Sequence, residues 1–400
     1  MVEQPASISV IIIVRNEAID TLNKLITEVL NQSLTPSEII FVDTSINASY
    51  REYIDEISEN KSLLTSLKYI QSENSFPGKA RNVGLNESSE EFIAFLDAKT
   101  CPTNKWLSNS FELIKNKKYD GIFGSTKFLA SSKFQKLYKA CSYGEKSHET
   151  VPGTIIRRDL IFNNNLFFDE NARAAEDILW RSEIKRECNV FAPSDPTTSY
   201  DDLPKSIFEL LKKYIRYSFD GAILDVQSNI KEGYMAIFLT LVFLLIPRWN
   251  YLLPTWDQHP LYIDNVTKKV YFLIFLIFIS YYLIKRYFRN HSRSPFLTLI
   301  KYLTYLLIFF TIFRWNDVLT NYTESASLYI PHITKIFLII IFVLMLLIRG
   351  IFRPIVNGVY KTELFPFLWL RVGLLGVFLD IIRAPIYIFG ALIGIFRRRF

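Results

Sequence analysis

Beyond Tyr234, long apolar runs alternate with basic clusters, whereas the residues before position 205 have an ordinary globular make-up. One soluble core cannot absorb such a pattern, so the chain is expected to build two unlike parts. We read residues 1–204 as an α/β domain, 205–232 as an amphipathic interfacial helix, and 233–400 as an α-helical membrane domain. Apolar stretches near 234–253, 270–284, 296–313 and 336–352 are candidate spans, although Pro247 and Arg248 interrupt the first. The segment 254–267 has no Lys or Arg, 285–293 carries Lys285, Arg286, Arg289 and Arg293, and Arg349, Arg353 and Lys361 follow the fourth run. The bias of basic residues towards the cytoplasmic side predicts a multi-pass membrane protein with its N-terminal domain in the cytoplasm. The net charge of +7 then reads as a topology signal, and no basic helix with interleaved aromatics points to nucleic acid.

The first part has the periodicity of alternating strands and helices. Ile8–Val14 is a continuous apolar run, too short for a secretory signal and preceded by Glu3. Glu38–Asp43, Leu67–Ile70, Phe92–Asp97 and Gly121–Gly124 are further strands, while Leu22, Leu25, Ile26, Val29 and Leu30 recur at helical spacing. This order predicts a mostly parallel sheet, in which ligands bind beyond the carboxyl ends of the strands. Asp43 and Asp97 each terminate a strand. Cys101, Cys141 and Cys188 have neither pairing nor metal-ligand spacing, so they are expected to be reduced thiols.

Five segments recur in one order. They are Val14-Arg15-Asn16-Glu17-Ala18, Phe41-Val42-Asp43, Gly78-Lys79-Ala80-Arg81-Asn82-Val83-Gly84, Phe95-Leu96-Asp97-Ala98-Lys99 with Pro102 and Trp106-Leu107, and Ala175-Glu176-Asp177 with Arg181. Together, over roughly Ser7 to Ala192, they resemble the GT-A fold glycosyltransferases of family 2, in their membrane-anchored bacterial form. The resemblance implies a Rossmann-like nucleotide-diphospho-sugar transferase domain. It implies that Asn16, Glu17, Asp43, Lys79, Arg81, Asp97 and Lys99 line the donor site, that Asp177 is the base with Glu176 beside it, and that transfer inverts the anomeric centre. Arg181 and Arg157, the latter following Pro152-Gly153-Thr154, are candidates for the acceptor side.

Such a transfer needs a base for the acceptor hydroxyl, an in-line anomeric carbon, and neutralisation of the leaving diphosphate. Asp177 would open a helix, where the dipole favours a carboxylate. The family carries a second acid where this chain has Lys99, and a protonated Lys is no metal ligand. Three readings stay open: Lys99 neutralises the diphosphate without metal, Asp97 with another acid weakly holds Mg²⁺ or Mn²⁺, or the domain has lost activity.

Ile207, Leu210, Leu211, Tyr214 and Ile215 form one face of a basic helix that reads as lying in a membrane surface. In Phe367–Phe396, Gly373, Gly376, Asp380, Arg383, Tyr387, Gly390 and Gly394 recur in alternating steps of three and four. Two charges in an apolar helix, with Pro385 between them and the chain end, predict an interfacial or re-entrant element in which Asp380 pairs with Arg383. The function expected is the transfer of one sugar from a nucleotide sugar to a hydroxyl of a lipid-linked acceptor. The alternatives are a polyprenyl-phosphate glycosyl synthase, whose acceptor needs no base, and a non-catalytic membrane scaffold.

Overall fold

The computed structural model describes residues 5–46, 50–59, 64–226, 233–234, 237–238, 241 and 333–397. The expected spans near 270–284 and 296–313, and all but a few positions of 234–253, lie outside these residues. The chain divides into two compact units, Met1–Met235 with Ile348–Phe400, and Ala236–Leu347. The first unit therefore draws in the C-terminal helices that the sequence boundaries assign to the membrane part.

The first unit is built on a nine-stranded sheet. Its strands are β1 (Ala6–Val14), β2 (Pro36–Asp43), β3 (Ser66–Gln71), β4 (Phe92–Asp97), β5 (Thr100–Pro102), β6 (Gly121–Phe128), β7 (His148–Arg157), β8 (Val190–Phe191) and β9 (Thr198–Tyr200). The spatial order is β3-β2-β1-β4-β7-β6-β9-β5, with β8 on β6. Helices α1 (Ile19–Leu30), α2 (Arg51–Ser58) and α3 (Pro77–Glu87) connect β1 to β4, so these four strands run parallel. The remainder is mixed, with β8 and β9 parallel to β6. After α4 (Trp106–Lys117), β6 and α5 (Lys133–Ser142), strand β7 returns between β4 and β6 and lies antiparallel to both.

Continuous apolar strands suit a sheet covered on both faces. Alternate residues of β1 divide accordingly: Ile8, Val10, Ile12 and Val14 pack with Leu22, Leu25, Ile26 and Val29 of α1, and Ile11 packs in the opposite cluster with Ala80 and Leu85 of α3. Helix α3 sits unusually close to the sheet. A Cβ on Gly84 would fall 2.5 Å from Ile11 Cγ2, and one on Gly78 would fall 2.2 Å from the Asp169 carbonyl oxygen. Those two glycines let α3 wedge between the sheet and the segment after α6 (Arg158–Asn163).

Strand order reverses beside β1, since β2 and β3 lie on one side and β4 on the other. In the ladder, Val14 stands opposite Asp43 and Ile13 opposite Asp97. The two acids therefore flank the tip of β1, about 10 Å apart across two strand spacings, at the switch point where such sheets hold ligands.

Helix α7 (Glu176–Glu187) packs beside β7, and α8 (Ile207–Ile223) follows β9. In the second unit, α9 (Ile333–Leu347) is apolar throughout its middle. A π-helical turn (Ile348–Phe352), α10 (Arg353–Val356), α11 (Lys361–Leu364) and α12 (Leu368–Arg397) complete the first. The helical stretches Ile336–Val356 and Leu368–Ala391 are each long and apolar enough to cross a membrane. Helix α12 runs unbroken through Pro385. Its small residues are packing sites: Gly390 and Gly394 admit the backbone of Phe219 and Ile223 in α8, and Gly376 admits the Arg349 side chain. Asp380 pairs with Arg349, whose Nε lies 3.1 Å away, rather than with Arg383. Arg383 is three residues along the same helix and instead reaches across to Ser218 of α8.

Candidate active site

The tip of β4 and the start of α7 are joined by one buried side chain. Arg81, on the second turn of α3, is 4% exposed. Its Nη2 donates to Asp97 Oδ1 at 2.9 Å, its Nη1 donates to Glu176 Oε1 at 2.9 Å, and its guanidinium lies over the Phe168 ring. A guanidinium suits this place because its planar fork serves two carboxylates in fixed directions. The neighbouring motif residues secure it. Asn82 donates to the Phe168 carbonyl oxygen and accepts from the Phe168 N–H, both at 2.9 Å, and also donates to Glu170 at 3.0 Å. The segment expected to line the donor pocket thus works here as a clamp between strand tip and helix start.

Glu176 is 5% exposed. Burial pushes its carboxyl up, to about 7, against the pull of Arg81 and with help from the adjacent Asp177. Asp177, the next residue, is half-buried in the first turn of α7 and so stands near the positive end of the helix. The helix is entered through Ala175 in the left-handed region, with φ 68°. For a residue with a Cβ this costs roughly 1–3 kcal/mol, and such strain clusters at functional sites. Arg181, expected on the acceptor side, donates to the Glu149 carbonyl oxygen at 2.7 Å and to Glu149 Oε1 at 3.0 Å. It thereby braces α7 against β7.

On the side expected to bind the donor, Asp43 is fully buried. Its carboxylate accepts from the Ser45 N–H at 2.8 Å and from the Tyr69 hydroxyl at 2.7 Å. Asn16 is in the left-handed region, with its N–H on Ser45 Oγ at 3.0 Å. Glu17 accepts from the Arg15 N–H, and burial still raises its carboxyl. A cavity of about 550 Å³ opens here, lined by Asn16, Glu17, Lys24, Lys99 and Asp202 among others. That volume lies within the range of small-molecule sites, about 300–1,000 Å³.

Lys99 faces this cavity but is not a free cation: its Nζ lies 2.6 Å from Asp202 Oδ2. Burial pulls the ammonium down, yet the hydrogen bond and charge of Asp202, with Glu17, hold it above its ordinary value. Asp202 follows β9 and belongs to none of the five segments, so only the fold reveals it. Lys79 is exposed on α3. Arg157 is not brought to the site. It pairs with Phe92, the first residue of β4, which puts it about 17 Å along the strand from Asp97. Because β7 is antiparallel to β4, its end lies at the opposite edge of the sheet from the strand-tip cleft.

These residues do not fit a divalent-metal site built by the protein. Asp97 gives one oxygen to Arg81, Lys99 stands two residues on, and among the described residues no group of three His, Cys, Asp or Glu is placed to hold a metal.

Residues 9–170 match the family described as Glycosyl transferase family 2. The chain is 30% identical over 197 residues to an uncharacterized glycosyltransferase of Rickettsia bellii, a stretch that is 45% of this chain and 27% of that protein. It is 31% identical over 123 residues to glycosyltransferase AglE of Haloferax volcanii, which is 30% of this chain and 40% of the relative. The chain thus spans less than half the length of either relative. Among solved structures it is similar to S. aureus TarS in complex with UDP-GlcNAc, at 20% identity and a TM-score of 0.41, over 55% of this chain and 66% of the other. The family match covers less than half of the chain, and within it residues 9–170 are similar to family 2 glycosyltransferases.

Two outcomes test the clamp. Arg81→Met leaves two buried or half-buried carboxylates without their cation, and should lower stability by about 3–5 kcal/mol; an unchanged melting temperature would show the bridge to be dispensable. Glu176, with a folded value near 7 against an ordinary 4.5, stabilises the fold most below about pH 4.5 and loses that contribution as pH rises through 7. Glu176→Gln abolishes this slope. Its melting temperature relative to the parent should therefore climb between pH 5 and pH 8, and a constant difference would contradict the assignment.

Proposed function

We propose that this domain is a family 2 glycosyltransferase that moves one sugar from a nucleotide sugar to a hydroxyl of a membrane-linked acceptor, with inversion. The observation that carries the reading is the Asp97–Arg81–Glu176 bridge, which holds the start of α7, and with it Asp177, against the tip of β4 at the switch point. Asp177 accepts the proton of the acceptor hydroxyl. The oxygen attacks the anomeric carbon as the bond to the diphosphate oxygen breaks, and the nucleoside diphosphate departs. Asp177 rather than Glu176 takes the proton because Glu176 is enclosed and bonded to Arg81, whereas Asp177 is only half-buried.

Lys99 supplies the positive charge for the leaving diphosphate. Its partner Asp202 keeps it protonated, and a diphosphate entering the cavity competes with Asp202 for the ammonium. One lysine carries half the charge of a divalent ion, so the help it gives is weaker. The proposed mechanism routes no step through a metal.

The proposed membrane setting rests on the stretches Ile336–Val356 and Leu368–Ala391 and on α8, which leaves Phe208 and Ile215 exposed beside Lys212 and Arg216. A membrane-held enzyme suits an acceptor that is itself held there. We read the enzymatic domain as cytoplasmic and the protein as multi-pass, in keeping with the distribution of basic residues.

Asp177→Asn keeps the shape of the site and removes the proton acceptor. We expect transfer to fall by about 10²–10⁴ while nucleotide-sugar affinity stays within about twofold. Transfer retained in this variant would remove Asp177 from its role.

A further inference from the structure

Helix α12 has two unlike faces. One is packed along its length. Val372 and Leu379 belong to a buried cluster with Tyr138 and Cys141 of α5 and Leu210 of α8. Further along, Arg383 donates to Ser218 of α8, the Tyr387 hydroxyl donates to the Val226 carbonyl oxygen at 3.3 Å, and Gly390 and Gly394 meet Phe219 and Ile223. The other face lies about half a turn away and is uncovered. Leu370, Leu374, Phe378, Ile381, Phe389 and Ile393 are all exposed there. They follow one another in steps of three, four or eight, which keeps them on one side of a helix. The row is about 35 Å long at 1.5 Å per residue.

An apolar face of this size marks a contact with something other than water. The length and hydropathy of Leu368–Ala391 suit hydrocarbon. The packed face speaks against a crossing. From Val372 to Gly394 it is held to α5 and α8 over about 33 Å of helix, and the hydrocarbon core is about 30 Å thick. A crossing α12 would draw its partners to the same depth. Helix α5 carries Lys133, Lys136 and Lys139 and is joined to β6 and β7 of the sheet, and α8 carries Lys212, Lys213 and Arg216. Such charges are costly inside the bilayer. Helix α8 also has a face suited to head groups. Phe208 and Ile215 are exposed and stand fourteen and seven residues before Ala222, so the three share one side. Ala222 is where α8 meets α12, its Cβ lying 3.0 Å from the place of the missing Gly390 Cβ. Lys212 and Arg216 are exposed beside them. An apolar row with a basic edge is the make-up of a helix that lies in an anionic membrane surface.

We infer that α12 lies along the membrane surface and does not cross it, with Leu370, Leu374, Phe378 and Ile381 sunk among the acyl chains and its opposite face holding the sheet, through α5 and α8, against the head groups. The inference rests on the membrane setting proposed above and says how the first unit meets that membrane. The apolar side chains enter about 5–10 Å below the head groups. Arg371, exposed at the edge of the row, returns its charge to the surface along its methylene stem. On the side of α8 away from Phe208 and Ile215, the place of the missing Gly221 Cβ lies 3.8 Å from the Ala175 Cβ. The start of α7 then stands about one helix thickness, ~10 Å, from the membrane surface.

The test is nitroxide depth measurement on the full-length protein in vesicles of phosphatidylcholine and phosphatidylglycerol. Cys101, Cys141 and Cys188 are replaced by Ala, and one label is placed at Leu370→Cys, Leu374→Cys, Ile381→Cys or Ile393→Cys. The contrast between oxygen and a nickel chelate as relaxants gives the depth of each. All four labels are expected at one shallow level, about 5–10 Å below the head groups. Labels at 374 and 381 deep in the bilayer, with those at 370 and 393 near opposite surfaces, would mean a crossing helix and overturn the inference. Labels shielded from both relaxants would mean that protein covers this face, either a second copy or another segment of the chain, and would also overturn it. A label at Ile339→Cys in α9 separates the two kinds of failure. Lipid around Ile339 with water around the α12 labels refutes the inference alone, whereas water around Ile339 as well refutes the membrane setting. Photo-cross-linking from benzoylphenylalanine at position 378, with the native cysteines kept, is independent of the cysteine replacements. A lipid adduct is expected, and adducts to protein alone would contradict the inference.

Discussion

Arg81 is the residue on which the geometry of the candidate site depends. Strand β4 and helix α7 are distant in sequence, and neither touches the other through backbone hydrogen bonds. One guanidinium, buried between Asp97 and Glu176, fixes how far apart their ends stand. Taking a cation and two carboxylates out of water is costly, and a well-packed apolar cluster is often as stable. The bridge therefore reads as a device for position more than for stability. Asn82 and Gly78 extend it by locking α3 to the segment ahead of α7, which enters the helix through Ala175 in the left-handed region.

Charge is arranged differently on the two sides of this bridge. On the donor side, Asp43, Asp97 and Glu17 are balanced by internal hydrogen bonds and by Arg81, and Lys99 is balanced by Asp202. Four acids, Glu17, Asp20, Asp201 and Asp202, stand against Lys24 and Lys99 around the larger cavity, so in the proposed reaction a diphosphate competes with Asp202 for Lys99. Between α5, α8, α10 and α12, Lys213, Arg349, Arg353 and Arg383 line a smaller cavity, and Arg349 is paired with Asp380.

Much of the fold was legible because burial imposes period. The continuous apolar runs of β1, β2 and β4 and the helical spacing in α1 appear in the structure within a few residues of their expected bounds. The antiparallel return of β7 was not legible, and this misplaced Arg157: a residue ending an antiparallel strand lies at the wrong edge for a site at parallel strand tips. Partners across long separations were also hidden. Nothing in the local sequence shows that Arg81 meets Glu176, or that Asp202 pairs with Lys99, since both contacts come from tertiary packing across about a hundred residues. The stripe on α12 was visible, but its partners were not. Asp380 took Arg349 from another helix over Arg383 on its own, because α12 presents Arg383 to α8.

The central claim is that Lys99 takes the place of a metal in an active nucleotide-sugar site. It is tested most directly by donor binding to the purified full-length protein in detergent, as thermal shift with UDP-, GDP- and dTDP-sugars, in Mg²⁺ or Mn²⁺ and again in EDTA. The account predicts that one donor class raises the melting temperature and that the shift survives EDTA. A shift present with the divalent ion and lost in EDTA would contradict it.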